Sequence, residues 1–533
     1  MSRQLETIAR AAMVANGLEP DFPPAALAQL AHLAPDRPSL GENGPGRPSP
    51  GEGGPGRQSL GEGGPGRPSL GEGGPGRQSL GEGGPGRQSL GEGGNHDLRA
   101  LPWSSIDNDD SRDLDQLEVC VDAGDGRTRV LIAIADVDAL VPKDSPLDAH
   151  AALNTTSVYT PAVIFPMLPA ELSTDRTSLN QDVDRAAMVV DMTIDRAGTL
   201  VASDVYRALV RNKAQLTYNA IAAWLEGSGP APAALARVAE LAAQVRLQDE
   251  VACRLRDRRE DEGALEFART ELRPVVEGDG VKELRIDKPN RAKAIIENFM
   301  VTANGVTARF LSDRGFASIR RVVKSPERWG RIVDLASQHG GSLPAAPDAH
   351  ALQQFLKKQR DAEPETFQDL SLSIIKLMGR GEYVAENAAE PSAHFALATG
   401  SYTHSTAPNR RFPDLVTQRL LKAAIERRPA PYPLPELTPL ADHCTKQEDA
   451  ANKVERLTGK AAAALWLTPR IGETFDAVVT GAGPKGTWVR LAPTPVEGRL
   501  ERGAEGLDVG DRVRVRLVRT DPPRGFIDFA RAT

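Results

Sequence analysis

Five aspartates, Asp107, Asp109, Asp110, Asp113 and Asp115, fall within nine consecutive positions. Like charges this close repel, so the run is either a solvated acidic loop or a set of ligands gathered around positive charge. Carboxylate oxygens suit one or two hard divalent cations, magnesium or manganese. Asp113 and Asp115 are two apart and share a face if the segment is extended, and Asp107 can return to that face across the loop.

The acidic run precedes two β-rich stretches, Leu117 to Val121 and Thr128 to Ala135, separated by Gly124-Asp125-Gly126. That pattern predicts a β-hairpin. Near the start, Leu5 to Val14 and Ala25 to Leu33 read as short amphipathic helices, with Pro23 and Pro24 where the second would begin. Residues 37–94 are six near-copies of a ten-residue unit and hold 22 of the chain's 49 glycines. One leucine per ten residues cannot offset the entropy of ordering such a segment, so a disordered insertion is expected. From Ile471 onward, short strands divided by turns predict a small five-stranded OB-type barrel. In Asp511 to Val518, Arg512, Arg514 and Arg516 alternate with apolar residues, giving one basic face that suits a phosphate track. Trp488 and Phe475 are candidate stacking platforms there.

The whole chain, 533 residues with a net charge of −7, is long enough for three or four domains. Mild acidity excludes a protein that coats nucleic acid by bulk charge but leaves room for a local basic channel. No apolar run approaches the roughly 20 residues of a membrane helix. Cys120, Cys253 and Cys444 are far apart, which suggests neither a zinc site nor a disulfide framework and fits a cytoplasmic protein.

The stretch IDNDDSRDLDQLEV resembles the catalytic signature of the ribonuclease II / ribonuclease R (RNB) family of 3′-to-5′ exoribonucleases. The likeness continues in order through IADVDALVPKDSPLDAHA, TSVYTPAVIFPMLPAELSTDRTSLN, LTYNAIAAWLE, AIIENFMVTAN and HFALATGSYTHSTAPNRRFPDLVTQRLL. It spans about 98–457. The C-terminal segment is similar to the S-one type of RNA-binding domain.

The resemblance implies an α+β RNB catalytic domain over 95–465, followed by an OB-fold RNA-binding domain over 466–533. It also implies a short helical element at 1–36, expected to pack with 95–103, in place of the family's usual cold-shock domains. Asp107, Asp113 and Asp115 fall on the family's acidic cluster, with Asp115 the residue on which catalysis most depends. Gln116 stands where the family usually has a further aspartate. A carboxamide offers a metal only a neutral oxygen, so the site carries one negative charge less; Asp110 and Glu118 are the nearby acids that could compensate. Tyr159 is expected beside the scissile phosphate and Tyr218 against the last nucleotide. Glu297 is a candidate for holding the terminal nucleotide, and Glu455 for a place near the RNA 3′ end. Arg410, in a local APNRR where the family has SPIRR, is expected to clamp the phosphate. His404, Arg411 and Arg419 read instead as structural support.

The expected activity is therefore magnesium-dependent (or manganese-dependent) 3′-to-5′ hydrolysis of single-stranded RNA with a free 3′ end, releasing 5′-nucleoside monophosphates. The family implies a monomer. Two other readings stand beside it: an RNA-binding or regulatory relative weakened at Gln116, and a general single-strand phosphodiesterase that also takes DNA.

Overall fold

The computed structural model describes residues 2–33 and 96–532, apart from 269–270, 279, 365, 388–393, 485 and 493. The repeat expected as a disordered insertion at 37–94 lies outside the described residues. Two N-terminal helices, α1 (Arg3–Ala15) and α2 (Pro24–His32), begin where Ser2 and Pro23 cap them.

A seven-stranded sheet follows, built from β1 (His96–Asp97), β2 (Ser104–Asp107), β3 (Gln116–Asp122), β4 (Thr128–Ala135), β7 (Asp184–Ile194), β8 (Leu200–Arg211) and β9 (Ala214–Thr217). Its order is β1-β8-β7-β4-β3-β2-β9. The central strand β4, TRVLIAIA, is almost continuously apolar and buried, as a strand covered on both faces must be. The β3–β4 hairpin forms where the sequence predicts it, and Gly124, Asp125 and Gly126 all take positive φ in its turn. Between β4 and β7 come α3 (Pro146–Asn154) and a small hairpin, β5 (Val158–Tyr159) with β6 (Ile164–Phe165).

After β9 the chain becomes mainly helical: α4 (Tyr218–Leu225), α5 (Ala233–Arg237) and α6 (Leu241–Asp261). A second hairpin, β10 (Glu271–Glu277) with β11 (Gly280–Asp287), leads into α7 (Arg291–Asp313). Helices α6 and α7 pack on each other and on the sheet, and Phe299 of α7 is fully buried in the main core. Strands β12 (Ser318–Val322) and β13 (Glu382–Glu386) pair around a helical lobe of α8 (Trp329–Gln338), α9 (Ala349–Ala362) and α10 (Phe367–Met378). This lobe has its own core, including Trp329, Phe355 and Ile374. Helix α11 (Phe412–Ile425) is buried along nearly its whole length.

The 34-residue helix α12 (Leu434–Leu467) then crosses the molecule. The expected boundary at 465/466 falls in its last turn. Beyond it, β14 (Thr474–Gly483), β15 (Gly486–Leu491), β16 (Glu497–Arg502), β17 (Arg512–Asp521) and β18 (Phe526–Arg531) close a barrel. Val513, Val515 and Leu517 point into its core while Arg512, Arg514 and Arg516 are exposed, as the alternation predicts. At Gly498 a Cβ would sit 2.5 Å from the Phe529 ring, so only glycine lets that strand close over the core. Arg490 of β15 pairs with Asp369 of α10 at 2.6 Å, tying the barrel to the helical lobe.

The chief contacts of the N-terminal helices are α1 with α12 and α2 with α3. Residues 96–97, within the stretch expected to pack with this element, run parallel to β8. Among the described residues, no helix is long and apolar enough to cross a membrane.

Phe299→Ala empties a fully buried site in the core that carries the sheet. Thermal or denaturant unfolding should show a loss of about 3–5 kcal/mol.

Candidate active site

Strand β2 ends at Asp107 and β3 begins at Gln116, so the acidic loop hangs from one end of the sheet. The loop is pinned from both sides. The Leu114 N–H donates to Ser178 Oγ at 3.0 Å, and that hydroxyl donates to the Arg112 carbonyl at 2.8 Å. The Asp115 carbonyl accepts from the Ala135 N–H, which locks the loop's exit to the end of β4.

The three aspartates expected to act together are each engaged by different protein donors. Asp107 accepts from the Asn108 N–H at 2.7 Å and the Ser111 hydroxyl at 2.9 Å. Asp113 accepts from the Tyr159 hydroxyl at 3.1 Å. Asp115, 1% exposed, accepts from the Asn409 N–H at 3.1 Å, and its other oxygen lies 3.3 Å from Arg410 Nε. That second oxygen is buried with no hydrogen-bond partner of good geometry.

Electrostatics ties these groups into one site. Burial pushes the Asp115 carboxyl up to about 7, against the pull of Arg410 and with a further push from Asp113. Asp107 is also raised, chiefly by burial. Arg410 is held charged: the carboxylates of Asp115, Asp107 and Asp113, together with Tyr159, outweigh the cost of its crowded surroundings. Its side chain keeps 47% exposure, so it sits where solvent still reaches. Three carboxylates around one guanidinium leave the site short of positive charge.

Arg410 is fixed through its backbone. The Ser157 N–H donates to the Arg410 carbonyl at 2.9 Å, and Thr156 bridges Arg411. Tyr159, 39% exposed, follows two residues later, and its N–H donates to Glu455 Oε1 at 2.8 Å. Glu455 thus reaches the site by holding Tyr159 in place. Tyr218 opens α4 half-buried, and its hydroxyl is pushed up by burial first and then by Asp107. Glu297 is exposed on α7 and its charge acts on Arg259; no contact joins it to the aspartates.

The two acids considered as compensation for Gln116 stand differently: Asp110 faces outward, and Glu118 lies inward, near enough to Asp107 to feel its charge. Asp110 is exposed toward Arg273, 3.9 Å away. Glu118 is completely buried, and burial raises it well above the usual carboxylate range. Gln116 itself is buried opposite Ile134. His404 Nδ1 meets the Tyr383 hydroxyl at 2.8 Å, Arg411 pairs with Asp414, and Arg419 pairs with Asp138 and Asp148.

Sequence reasoning missed the groups that hold the acidic loop. Ser178, Ser111 and the Asn409 backbone carry no chemical signature of their own. Asn219, whose side-chain N–H donates to Asp109 at 2.6 Å, is equally silent. Their only signal was membership in the resembling blocks, Ser111 in that of the aspartates, Ser178 in that of Tyr159, Asn219 in that of Tyr218 and Asn409 in that of Arg410.

The donor set suits a hard divalent cation, with carboxylates short of positive charge and one buried oxygen on Asp115 lacking a proper donor. As they stand, no three His, Cys, Asp or Glu side chains among the described residues group tightly enough to share a metal.

Comparison with known proteins places this geometry. The model of the RNB domain matches residues 95–427, well over half the chain, and that of the RNase II-type exonuclease C-terminal S1 domain matches 473–532. The chain belongs to the RNB family. Ribonuclease R of Thermotoga maritima is 29% identical over 467 residues, covering 81% of this chain and 64% of that protein. Ribonuclease R of Escherichia coli K12 is 28% identical over 474 residues, covering 81% and 57%. The chain thus spans a little over half to two-thirds of the length of these relatives. Among solved structures, Mycoplasma genitalium RNase R in complex with double-stranded RNA superposes with a TM-score of 0.78 at 20% identity, covering 99% of this chain and 84% of that one. Yeast Ssd1, a pseudonuclease, gives 0.63 at 17% identity, covering 76% and 50%.

The raised Asp115 has a consequence for stability. A carboxyl whose folded value lies above its unfolded one stabilises while protonated in the fold, and that contribution is lost as pH rises toward the folded value. The metal-free protein should therefore lose stability between about pH 4 and pH 7. Asp115→Asn should flatten that slope in melting curves taken across this range.

Proposed function

We propose that this chain is a 3′-to-5′ exoribonuclease that hydrolyses single-stranded RNA to 5′-nucleoside monophosphates. The observation that carries the reading is the convergence of Asp107, Asp113, Asp115 and Tyr159 around the solvent-reachable Arg410. The RNB membership and the ribonuclease R relatives supply the reaction class.

Asp107, Asp113 and Asp115 would hold a magnesium or manganese ion, exchanging their present protein donors for it, and Gln116 would offer at most a neutral oxygen. Bound there, the ion supplies Lewis-acid and water-activating chemistry. Arg410 lies against the same carboxylates, free to donate to a phosphate from a fixed backbone. A planar guanidinium so placed gains most when charge grows on the phosphate oxygens in the transition state. Tyr159, anchored by Glu455, presents a ring beside the acids. Tyr218 closes the site from the α4 side, where an aromatic face accepts any base. The basic stripe of Arg512, Arg514 and Arg516 on the barrel gives the upstream RNA a phosphate track.

The second reading, an inactive RNA-binding relative, gains weight from Gln116 and from the likeness to a pseudonuclease. Against it, the aspartates, both tyrosines and Arg410 are all in place.

A 5′-labelled single-stranded RNA incubated with magnesium should give a descending ladder ending in a short limit product. Asp115→Asn should abolish the ladder while leaving RNA binding within about threefold. Intact RNA with wild-type protein, alongside a clear binding shift, would favour the inactive relative. Arg410→Ala should lower kcat by about 100-fold or more with little change in RNA affinity; an unchanged kcat would remove Arg410 from the chemistry.

A further inference from the structure

The acidic loop is flanked by two hairpins that are remote in sequence. From β5–β6, Tyr159 reaches Asp113. From β10–β11, Arg273 faces Asp110. Neither hairpin belongs to the central sheet, so something else must hold each one at its distance from the carboxylates.

Both rest on α1. Ala9, Ala12 and Met13 of α1, with Leu18 just beyond it, form one buried cluster with Val158 and Phe165 of β5–β6 and with Ala450, Ala451 and Val454 of α12. Val454 is the neighbour of Glu455, which holds the Tyr159 N–H. One turn earlier, Leu5 packs with Ala162, Ala461 and Ala462, against which Val276 of β10 and Val281 of β11 also lie. Polar contacts fasten the same segment: the Glu19 N–H donates to Asn154 Oδ1 at 2.9 Å, and Asn154 Nδ2 donates back to the Glu19 carbonyl at 2.8 Å. The Arg10 guanidinium lies 5.7 Å from the centre of the Phe165 ring. In sequence, α1 is separated from β2 by 88 residues, including the ten-residue repeats.

We propose that α1 is the positioning element of the active site, a wedge that seats on α12 and sets where both hairpins stand beside the carboxylates. This rests on the exoribonuclease reading. Met13 is the positioning residue for Tyr159, and Leu5 for the β10–β11 hairpin. Neither touches substrate. A two-residue-per-strand hairpin has little stability of its own, so it takes its place from what it packs on. Losing that support leaves the carboxylates and Arg410 intact while Tyr159 wanders from Asp113.

The test compares Met13→Asp, Tyr159→Ala and the double variant in the full chain, on single-stranded RNA with magnesium. Val14→Ser, on the exposed face of the same helix, is the control. Met13→Asp should reproduce the Tyr159→Ala phenotype: KM up about tenfold and a longer limit product. The double variant should be no worse than Tyr159→Ala alone, and hydrogen exchange should show lost protection confined to 158–165 and the α1 segment. Should Met13→Asp fail to fold, Met13→Ala serves, with a KM rise of about threefold and the same non-additivity. Wild-type KM and limit product in a folded Met13 variant, or losses that multiply in the double variant, would overturn the proposal. Wild-type protein that fails to shorten RNA would instead overturn the exoribonuclease reading, and the exchange data would still decide whether α1 holds the hairpin.

Discussion

Negative charge held in a place where water cannot screen it is the constraint on which this molecule is organised. Asp115 is almost completely buried, and its neighbours Asp113 and Asp414 push in the same direction. Among the described residues Arg410 is the cation set against them, and one guanidinium cannot balance three carboxylates. The site therefore favours added positive charge, which in the proposed function a divalent cation supplies. Much of the surrounding structure serves to keep that unfavourable arrangement from relaxing. Ser178 clamps the acidic loop, the β4 end locks its exit, and Ser157 fixes the backbone of Arg410.

The charge deficit also explains how the wider fold is laid out. The carboxylates sit at the end of a sheet whose centre is apolar on both faces, so the sheet cannot shift without exposing its core. Helix α12 runs from the core to the barrel and carries Glu455 midway, so the Tyr159 hairpin and the barrel's basic face hang from one rigid rod. Arg490 and Asp369 join the barrel to the helical lobe at a second point. In the proposed function, chemistry at the loop and grip on the RNA strand are thus set by elements that share a single helix.

Much of this was legible in the sequence, for physical reasons that differ by element. The β3–β4 hairpin declared itself because its apolar runs and glycine turn are local signals. The barrel did so through alternation in Arg512 to Leu517. The aspartates stood out by density and by resemblance. The partners that make them a site were not legible, because a serine or a backbone N–H gains its role only from long-range packing. Glu455 was expected near the RNA; the contact that defines it is with the Tyr159 backbone, across 296 residues. Glu118 shows the converse. Composition made it a candidate ligand, yet its place on an inward-facing strand position buries it completely. Nothing in the pattern of α1 revealed that it would seat on α12, since its amphipathic face specifies burial but not the partner.

In the proposed function, carboxylates short of positive charge take up a divalent cation. The direct measurement is the melting temperature of the protein alone, without RNA, across a manganese titration, for wild type and Asp107→Asn. A ligand bound only by the folded state stabilises it in proportion to the logarithm of its concentration once binding saturates. A rise of several degrees is expected at millimolar manganese in the wild type, and less than half that rise in the variant. A wild-type melting temperature indifferent to manganese, or one that rises equally in both proteins, would contradict it.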